Sequence, residues 1–283
     1  MAKKCEGCGA LSGVRIDRTC KQRLCAVCMM RTSRVVAKQG LQALEWMQAN
    51  MDKPYSLHMV TLTQQNVRQG ELAGEIDAML KDLARMRQIR AVRHGVIGSA
   101  RTIEVTCNPT QKDGLIWHPH VHLIIMLSGY PELMTADWWG NMWYTLRGLG
   151  ARQSRDDLQV EVHKLTDDGA VFEVSKYVTS YKELLDGLTD EQAAPYIIEL
   201  DKAIRGRYLK VWTGEWRKAR RALKLKEPEK MSNAELDEVA KACPCGCGRF
   251  VNALMVWSGM RYNEVAKRED EHVNVNTGEV IQV

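Results

Sequence analysis

The chain contains 283 residues, with a formal net charge of +5 and nine cysteines. That length allows one full catalytic core with one or two small accessory modules. The sequence has no signal-peptide pattern and no apolar run of the length that a bilayer requires, which predicts a soluble, cytoplasmic protein without a membrane partner. In a reducing cytoplasm, so many cysteines favour metal binding over disulfides.

Two Cys-x-x-Cys pairs lie near the amino terminus. Cys5/Cys8 and Cys25/Cys28 are separated by sixteen residues, a spacing typical of a tetrahedral zinc site. We therefore expect a structural Zn²⁺ in a module that, with the helix following it, covers residues 1–50. The arginines and lysines around these cysteines also favour an accessory contact with DNA.

Residues 51–190 are predicted to form a single layered domain. Apolar periodicity and turn residues predict strand 57–63, helix 71–89, strand 97–106, strand 118–127, helix 135–147, strand 158–164 and helix 171–186. This β-α-β-β-α-β order is typical of a ferredoxin-like α/β fold, in which helices cover one face of a central antiparallel sheet.

The run His118-Pro119-His120-Val121-His122 lies in the second strand of a predicted hairpin. Because side chains alternate along a strand, His120 and His122 share one face. Glu104 of the preceding strand can meet both histidines across the ladder. Two imidazoles and one carboxylate suit an open-sided Mg²⁺ or Mn²⁺ site. His118 ranks below these three as a ligand, because Pro119 restricts its backbone.

The predicted helix 171–186 places Glu173, Tyr177 and Tyr181 one turn apart on one face. A carboxylate beside a tyrosine hydroxyl suits covalent attack on phosphorus and the later activation of water. Taken alone, the same pattern also fits an amphipathic helix that happens to contain tyrosines.

Three motifs in this order resemble those of the replication initiators (Rep proteins) of rolling-circle plasmids, within the HUH endonuclease superfamily. They are the strand that ends Val60-Thr61-Leu62-Thr63, the run His118–His122, and Glu173-Val174-Ser175-Lys176-Tyr177. The resemblance covers residues 20–216. It implies a bacterial enzyme that nicks the double-strand origin of a plasmid, presented as a single strand, through a 5′-phosphotyrosine intermediate, with host helicase and polymerase as further partners.

Two departures from the family pattern bear on the mechanism. Ser180 stands where the family commonly has a lysine, which Lys176 or Lys182 can replace. The spacing of Tyr177 and Tyr181 also resembles the twin tyrosines of phage-type initiators and single-strand transposases. Whether Tyr181 is a second nucleophile is therefore open, and the Glu173/Tyr177 pair favours the plasmid type.

A basic segment follows the core at residues 191–226. From 205 to 226 it contains nine arginines and lysines against Glu215 alone, with Trp212 and Trp216 between them. Cations for phosphates and rings for bases are typical of a single-strand DNA surface, although the tryptophans also suit a core.

The remaining residues, 227–283, form a predicted acidic tail. Cys243, Cys245 and Cys247 in this tail either bind a second zinc or form a reduced cysteine-rich turn. Two other functions compete with the Rep interpretation: a catalytically inactive nucleic-acid-binding protein and a zinc-dependent hydrolase. The first leaves the histidine pair without a role, and the second lacks a His-Glu-x-x-His motif.

Overall fold

A computed structural model describes the chain over residues 2–5, 11–12, 23–108, 116–148, 159–165, 189–232, 234–236, 250–253, 255–257, 262–264, 271–273 and 280–282. The chain divides into two compact units. One comprises residues 36–226, and the other comprises residues 1–35 together with 227–283.

The described helices and strands are numbered here in chain order. The helices are α1 (Ala26–Asn50), α2 (Leu72–Met86), α3 (Arg90–Gly95), α4 (Ala136–Leu146), α5 (Asp190–Ile204) and α6 (Gly214–Ala222). The strands are β1 (Ala2–Cys5), β2 (Leu11–Ser12), β3 (Ser56–Thr63), β4 (Val67–Arg68), β5 (Val96–Asn108), β6 (Ile116–Leu127), β7 (Val160–Leu165), β8 (Val211–Thr213), β9 (Phe250–Ala253), β10 (Met255–Trp257), β11 (Tyr262–Glu264), β12 (Glu271–Val273) and β13 (Val280–Gln282). None of the described helices is long and apolar enough to span a membrane.

The larger unit is built on an antiparallel sheet of six strands. Five of them lie in the order β7-β3-β6-β5-β8. The sixth, the short β4, pairs with the first two residues of β6. The two longest strands, β5 and β6, form a hairpin in which Glu104 lies directly opposite His120. On the other side of β6, Thr61 of β3 lies opposite His122. This register decides which side chains share a face of the sheet.

The two faces of the sheet differ in composition. One face, which we call the histidine face, contains His120 and His122 of β6 followed by Ile124 and Met126, because alternate residues of a strand point to the same side. The opposite face contains Val121, Leu123 and Ile125 of the same strand, and these three are almost fully buried.

Helices α2 and α4 cover the opposite face. Buried apolar residues recur along α2 at three- and four-residue spacing, from Leu72 to Met86. Trp139 and Trp143 of α4 are fully buried, and the Trp143 indole donates a hydrogen bond of 2.9 Å to the carbonyl oxygen of Thr63 in β3. Trp139 and Trp143 are therefore core residues, whereas the neighbouring Trp138 is only half-buried.

Helices α1 and α6 pack on the histidine face, at the end away from the histidines. Met47 of α1 and Trp216 of α6 meet Ile124 and Met126 in one buried apolar cluster. Gly214 begins α6 with a φ of +56°, and a Cβ atom there would lie 2.1 Å from the carbonyl oxygen of Ile97. Only glycine permits this close approach of α6 to the edge of β5.

The predicted order of strands and helices is found between β3 and β7, with two additions and one difference. The short β4 and α3 were not predicted, and helices cover both faces of the sheet rather than one. The predicted helix 71–89 ends at Met86, because Ile89 adopts an extended backbone before α3. The predicted helix 171–186 lies outside the described residues.

The smaller unit contains short antiparallel pairs. Strand β1 pairs with both β2 and β9, β10 pairs with β11, and β12 pairs with β13. Val35, Met231 and Leu236 form a small buried cluster in this unit.

Candidate metal centre

The β5–β6 hairpin brings together the three residues that the sequence pattern singled out. The Nε2 atoms of His120 and His122 each lie 3.0 Å from the same carboxylate oxygen, Oε2 of Glu104. The two imidazole rings meet edge to face with their centres 4.8 Å apart. One ligand atom from each residue therefore converges on a common point, and the group could hold a metal ion.

Hydrogen bonds at the other ring nitrogens orient both imidazoles. Nδ1 of His120 lies 3.3 Å from the carbonyl oxygen of His118, to which it can only donate. Nδ1 of His122 lies 3.3 Å from the hydroxyl oxygen of Thr61 on the neighbouring strand. The His118 carbonyl therefore holds a proton on Nδ1 of His120, so that Nε2 of this ring is free to bind a metal once it loses the proton that it donates to Glu104. The Thr61 hydroxyl can either donate to or accept from Nδ1 of His122.

The electrostatics of the centre keep Glu104 ionised. Burial alone would raise the pKa of this carboxyl, but hydrogen bonds from His120 and His122, together with their charges, lower it to about 2. Glu104 is therefore an anion at neutral pH. A carboxylate beside two imidazole nitrogens is a donor set for a divalent cation, and it leaves coordination positions for water or a phosphate oxygen.

His118 lies next to the centre but outside the converging group. Its Nδ1 atom donates to Oδ1 of Asn66 at 2.7 Å, and its ring centre is 5.7 Å from that of His120. Burial, and then the neighbouring His120, lower the pKa of His118. His118 is thus held neutral and oriented at the edge of the site.

Sequence reasoning missed Thr61, which lies in the first of the three motifs, and Asn66, which lies three residues after that motif ends. A signal was available for Thr61, because in the run Val60-Thr61-Leu62-Thr63 the threonines alternate with residues that are fully buried. No local pattern could identify Asn66, since its contact with His118 spans 52 residues of chain.

The other predicted site residues are placed only in part. Tyr177, Glu173 and Tyr181 lie outside the described residues, as do Cys8 and the three cysteines of the tail. Cys5 ends β1, and Cys25 and Cys28 lie at the start of α1. Cys28 is buried and Cys25 is half-buried.

The basic segment contains fewer available cations than its composition suggests. Arg205 pairs with Asp201, and Arg207 makes a two-fold contact with Asp77 at 2.6 Å. Arg220 is only 5% exposed; it donates to Oε1 of Gln39 at 3.0 Å and stacks on the ring of Trp212.

The prediction that Trp216 belongs to a DNA-binding surface is wrong, because its side chain is fully buried in the cluster with α1. Its hydrophobic surface is worth more in the core than at a base-stacking surface. The exposed cations of α6 are Arg217, Lys218 and Arg221. Lys218 also contacts Glu215 at 2.5 Å.

Comparison with known proteins identifies relatives over most of the chain. The family model described as Replication protein (Rep_1) matches residues 13–245. The chain is 26% identical to a protein of Bacillus amyloliquefaciens named Protein rep, over 77% of this chain and 68% of that protein. It is 25% identical to a Protein rep of a Bacillus species, over 74% and 73% of the two chains. A Protein rep of Streptococcus pneumoniae is 28% identical over 56% of this chain and 50% of its own length. No solved structure matches the chain.

Proposed function

Because this chain belongs to the Rep_1 family of replication proteins, the initiators of rolling-circle plasmids, we propose that it starts replication by nicking one strand of a plasmid origin. The observation that carries this proposal is the convergence of Glu104, His120 and His122 on one point. A protein that only bound DNA would not need a half-buried carboxylate held between two oriented imidazoles. The six-stranded antiparallel sheet is consistent with an HUH-type endonuclease.

In this mechanism Glu104, His120 and His122 would hold one Mg²⁺ or Mn²⁺. Such an ion would supply positive charge to polarise a non-bridging oxygen of the scissile phosphate. The three side chains present this site on the rigid hairpin at the centre of the sheet. Their orientation by Thr61 and by the His118 carbonyl keeps the donor atoms in place before the ion arrives.

We assign the nucleophile to Tyr177. Its phenol oxygen forms a bond to phosphorus, while the bond from phosphorus to the 3′ oxygen of the preceding nucleotide breaks. The phenol loses its proton and the departing 3′ oxygen gains one. The products are a 5′-phosphotyrosyl link and a free 3′-OH that can prime a polymerase. Since one phosphodiester replaces another, no nucleotide triphosphate is needed.

We assign termination to Glu173. A carboxylate four residues before Tyr177, in the predicted helix 171–186, can accept a proton from water, so that hydroxide attacks phosphorus at the regenerated origin and the bond to its 3′ oxygen breaks. The 3′-OH freed in this way then attacks the phosphotyrosyl phosphorus, which closes the displaced circle and returns the proton to the phenol of Tyr177. In the alternative scheme Tyr181 makes the second attack, and the protein alternates between two covalent states. The two schemes differ in the product, because only the second leaves another protein–DNA bond.

We further assign a structural zinc to Cys5, Cys8, Cys25 and Cys28, on the basis of their spacing. Cys25 immediately precedes α1 and Cys28 lies in its first turn, a spacing at which two thiolates can bind the same ion.

A nicking assay on single-stranded origin DNA, with and without Mn²⁺, tests the proposed function. We expect a covalent protein–DNA product that requires the ion and is lost in Tyr177→Phe. Tyr181→Phe is the matched control, because it removes the same kind of hydroxyl four residues further along the chain. Cleavage with free ends and no adduct would indicate a hydrolase, and binding without cleavage would indicate an inactive binding protein.

A further inference from the structure

A second polar site lies on the opposite face of the sheet from the metal centre. A cavity of about 170 Å³ opens between α2, α3 and strands β5, β6 and β8. Apolar side chains, among them Leu83, Leu123 and Trp139, form part of its wall. Three arginines line the same cavity: Arg87, Arg93 and Arg101. We call it the arginine cavity.

Arg101 is the innermost of the three. It lies on β5 three residues before Glu104, and therefore points to the other face of the sheet. Burial, and then the positive charge of Arg87, lower the pKa of Arg101 to about 10. One of its terminal nitrogens donates to the carbonyl oxygen of Tyr208 at 3.3 Å, whereas its Nε atom is buried without an acceptor.

Arg87 and Arg93 stand at the exposed rim. Arg87 follows the last residue of α2, and Arg93 lies in α3. Within the described part of the chain, no carboxylate forms an ion pair with Arg87, Arg93 or Arg101. A pair of hydroxyls completes the lining, since the side-chain oxygens of Ser99 and Thr213 lie 2.7 Å apart.

This arrangement is unfavourable unless an anion is bound. Like charges repel, and a half-buried guanidinium with an unsatisfied N–H loses hydration that nothing in the folded chain replaces. A bound phosphate group would remove both costs. Its oxygens can accept hydrogen bonds from the guanidinium groups and from the hydroxyls, and its negative charge offsets the positive charge of the arginines.

We propose that the arginine cavity binds a phosphate group, supplied either by a DNA strand or by a free phosphate or nucleotide. The site goes beyond the proposed nicking function. It lies across the sheet from Glu104, His120 and His122, so both sites can be occupied at once. If the source is DNA, the strand would contact the protein on two faces.

Phosphate binding to the full-length protein, measured by calorimetry with inorganic phosphate at constant ionic strength, tests the proposal. Arg101→Gln should weaken the affinity at least 10-fold. The double variant Arg87→Gln with Arg93→Gln changes only exposed side chains and should do the same without disturbing the fold. Arg90→Gln is the matched control, since Arg90 is exposed on α3 but does not line the cavity. Equal affinity in all four proteins, or no measurable binding, would overturn the proposal.

The salt dependence of duplex DNA binding then separates the two sources. Each lost phosphate contact should flatten the log–log slope by about 0.9 for a duplex. A flatter slope in Arg101→Gln, with an unchanged slope in Arg90→Gln, assigns the cavity to a DNA strand. Lost phosphate affinity with an unchanged slope assigns it to a free phosphate or nucleotide. Neither result depends on cleavage by Tyr177, so failure of the nicking assay leaves this test intact.

Discussion

Both faces of the central sheet contain charged groups within apolar surroundings, but those groups differ in whether they have partners of opposite charge. On the histidine face, Glu104 receives hydrogen bonds from two imidazoles and its pKa falls to about 2. On the opposite face, Arg101 has no carboxylate among the described residues, and burial lowers its pKa to about 10. The charge of Glu104 is stabilised by its own neighbours, whereas the charges of the arginine cavity require a bound anion.

A second arginine on the opposite face sharpens the contrast. Arg147 follows α4, and its side chain is only 7% exposed. Unlike Arg101, it forms ion pairs with Asp82, at 2.8 Å, and with Glu75. It joins α4 to α2 as a structural ion pair. The Nε atom of Arg147, like that of Arg101, is buried without an acceptor. Neither burial nor a single unbonded N–H therefore indicates a ligand site; the absence of a carboxylate partner does.

The largest effect is expected at the metal centre. Replacing His120 and His122 together by alanine should reduce metal-dependent cleavage on the order of 10³-fold, because two of three protein ligands are lost. Fold and most DNA affinity should persist. His163→Ala is the control, since His163 is an exposed histidine of β7. Cleavage can be followed on a denaturing gel. If the double variant cleaved at the wild-type rate, the assigned site would be wrong.

Removing the ion-paired arginine should destabilise the fold. Arg147→Met leaves the half-buried Glu75 without a cation and leaves Asp82 with only the exposed Arg85, at 3.3 Å, at a cost of about 3 kcal/mol in the free energy of unfolding. Burial already raises the pKa of Glu75, with Arg147 opposing and Asp82 reinforcing that shift. The loss should therefore shrink as the pH falls and Glu75 becomes protonated. Urea unfolding at pH 7 and pH 5 measures both effects, and a pH-independent loss would contradict this reason.

Removing Arg101, the arginine without a carboxylate partner among the described residues, should do the opposite. In phosphate-free buffer, Arg101→Met should raise the free energy of unfolding by about 1 kcal/mol, because a methionine fills similar space without a charge to desolvate. Arg90→Met, at an exposed position, should change stability by less. A clear loss of stability in Arg101→Met would show that Arg101 is a structural group like Arg147, and would remove the distinction between them.

The exposed cations of α6 should contribute a smaller, purely electrostatic effect on DNA binding. Arg217→Ala with Arg221→Ala should flatten the log–log salt slope for single-stranded DNA by up to about 1.4, since each neutralised phosphate contributes about 0.7. Arg220→Ala should instead reduce stability, because Arg220 is bonded to Gln39 in the interior. An unaltered slope in the double variant would place the DNA elsewhere.

The smallest effect is expected at the exposed ion pair of Asp77 and Arg207. The hydrogen bond from Arg207 lowers the pKa of Asp77 below its usual 3.8. The stabilisation is therefore present above about pH 4 and is lost as the pH falls through the lowered pKa. Since Asp77 is 59% exposed, solvent screening limits the effect of Asp77→Asn to about 0.5 kcal/mol at pH 7. Thermal unfolding against pH measures it, and an equal loss at pH 3 would indicate another cause.

Short-range patterns in the sequence were enough to predict the metal centre. Two-residue alternation placed His120 and His122 on one face, and the hairpin brought Glu104 to them across a separation of only 16 residues. The turn and strand signals that specify such a hairpin are local, so the pairing could be anticipated. The same holds for the order of strands and helices from β3 to β7.

Contacts between distant segments were decided by the tertiary structure alone. The support of His122 by Thr61 spans 61 residues, and the Arg147–Glu75 pair spans 72. The basic segment shows the limit most clearly, because composition could not distinguish the buried Arg220 from its exposed neighbours Arg217 and Arg221. The sequence by itself determined the family, the alternation of side chains along the strands and the pairing of Glu104 with the two histidines. Only the packing of helices on the sheet decided which charged side chains have partners and which can bind a ligand. That packing depends on neighbours distant in the chain, which no local sequence period encodes.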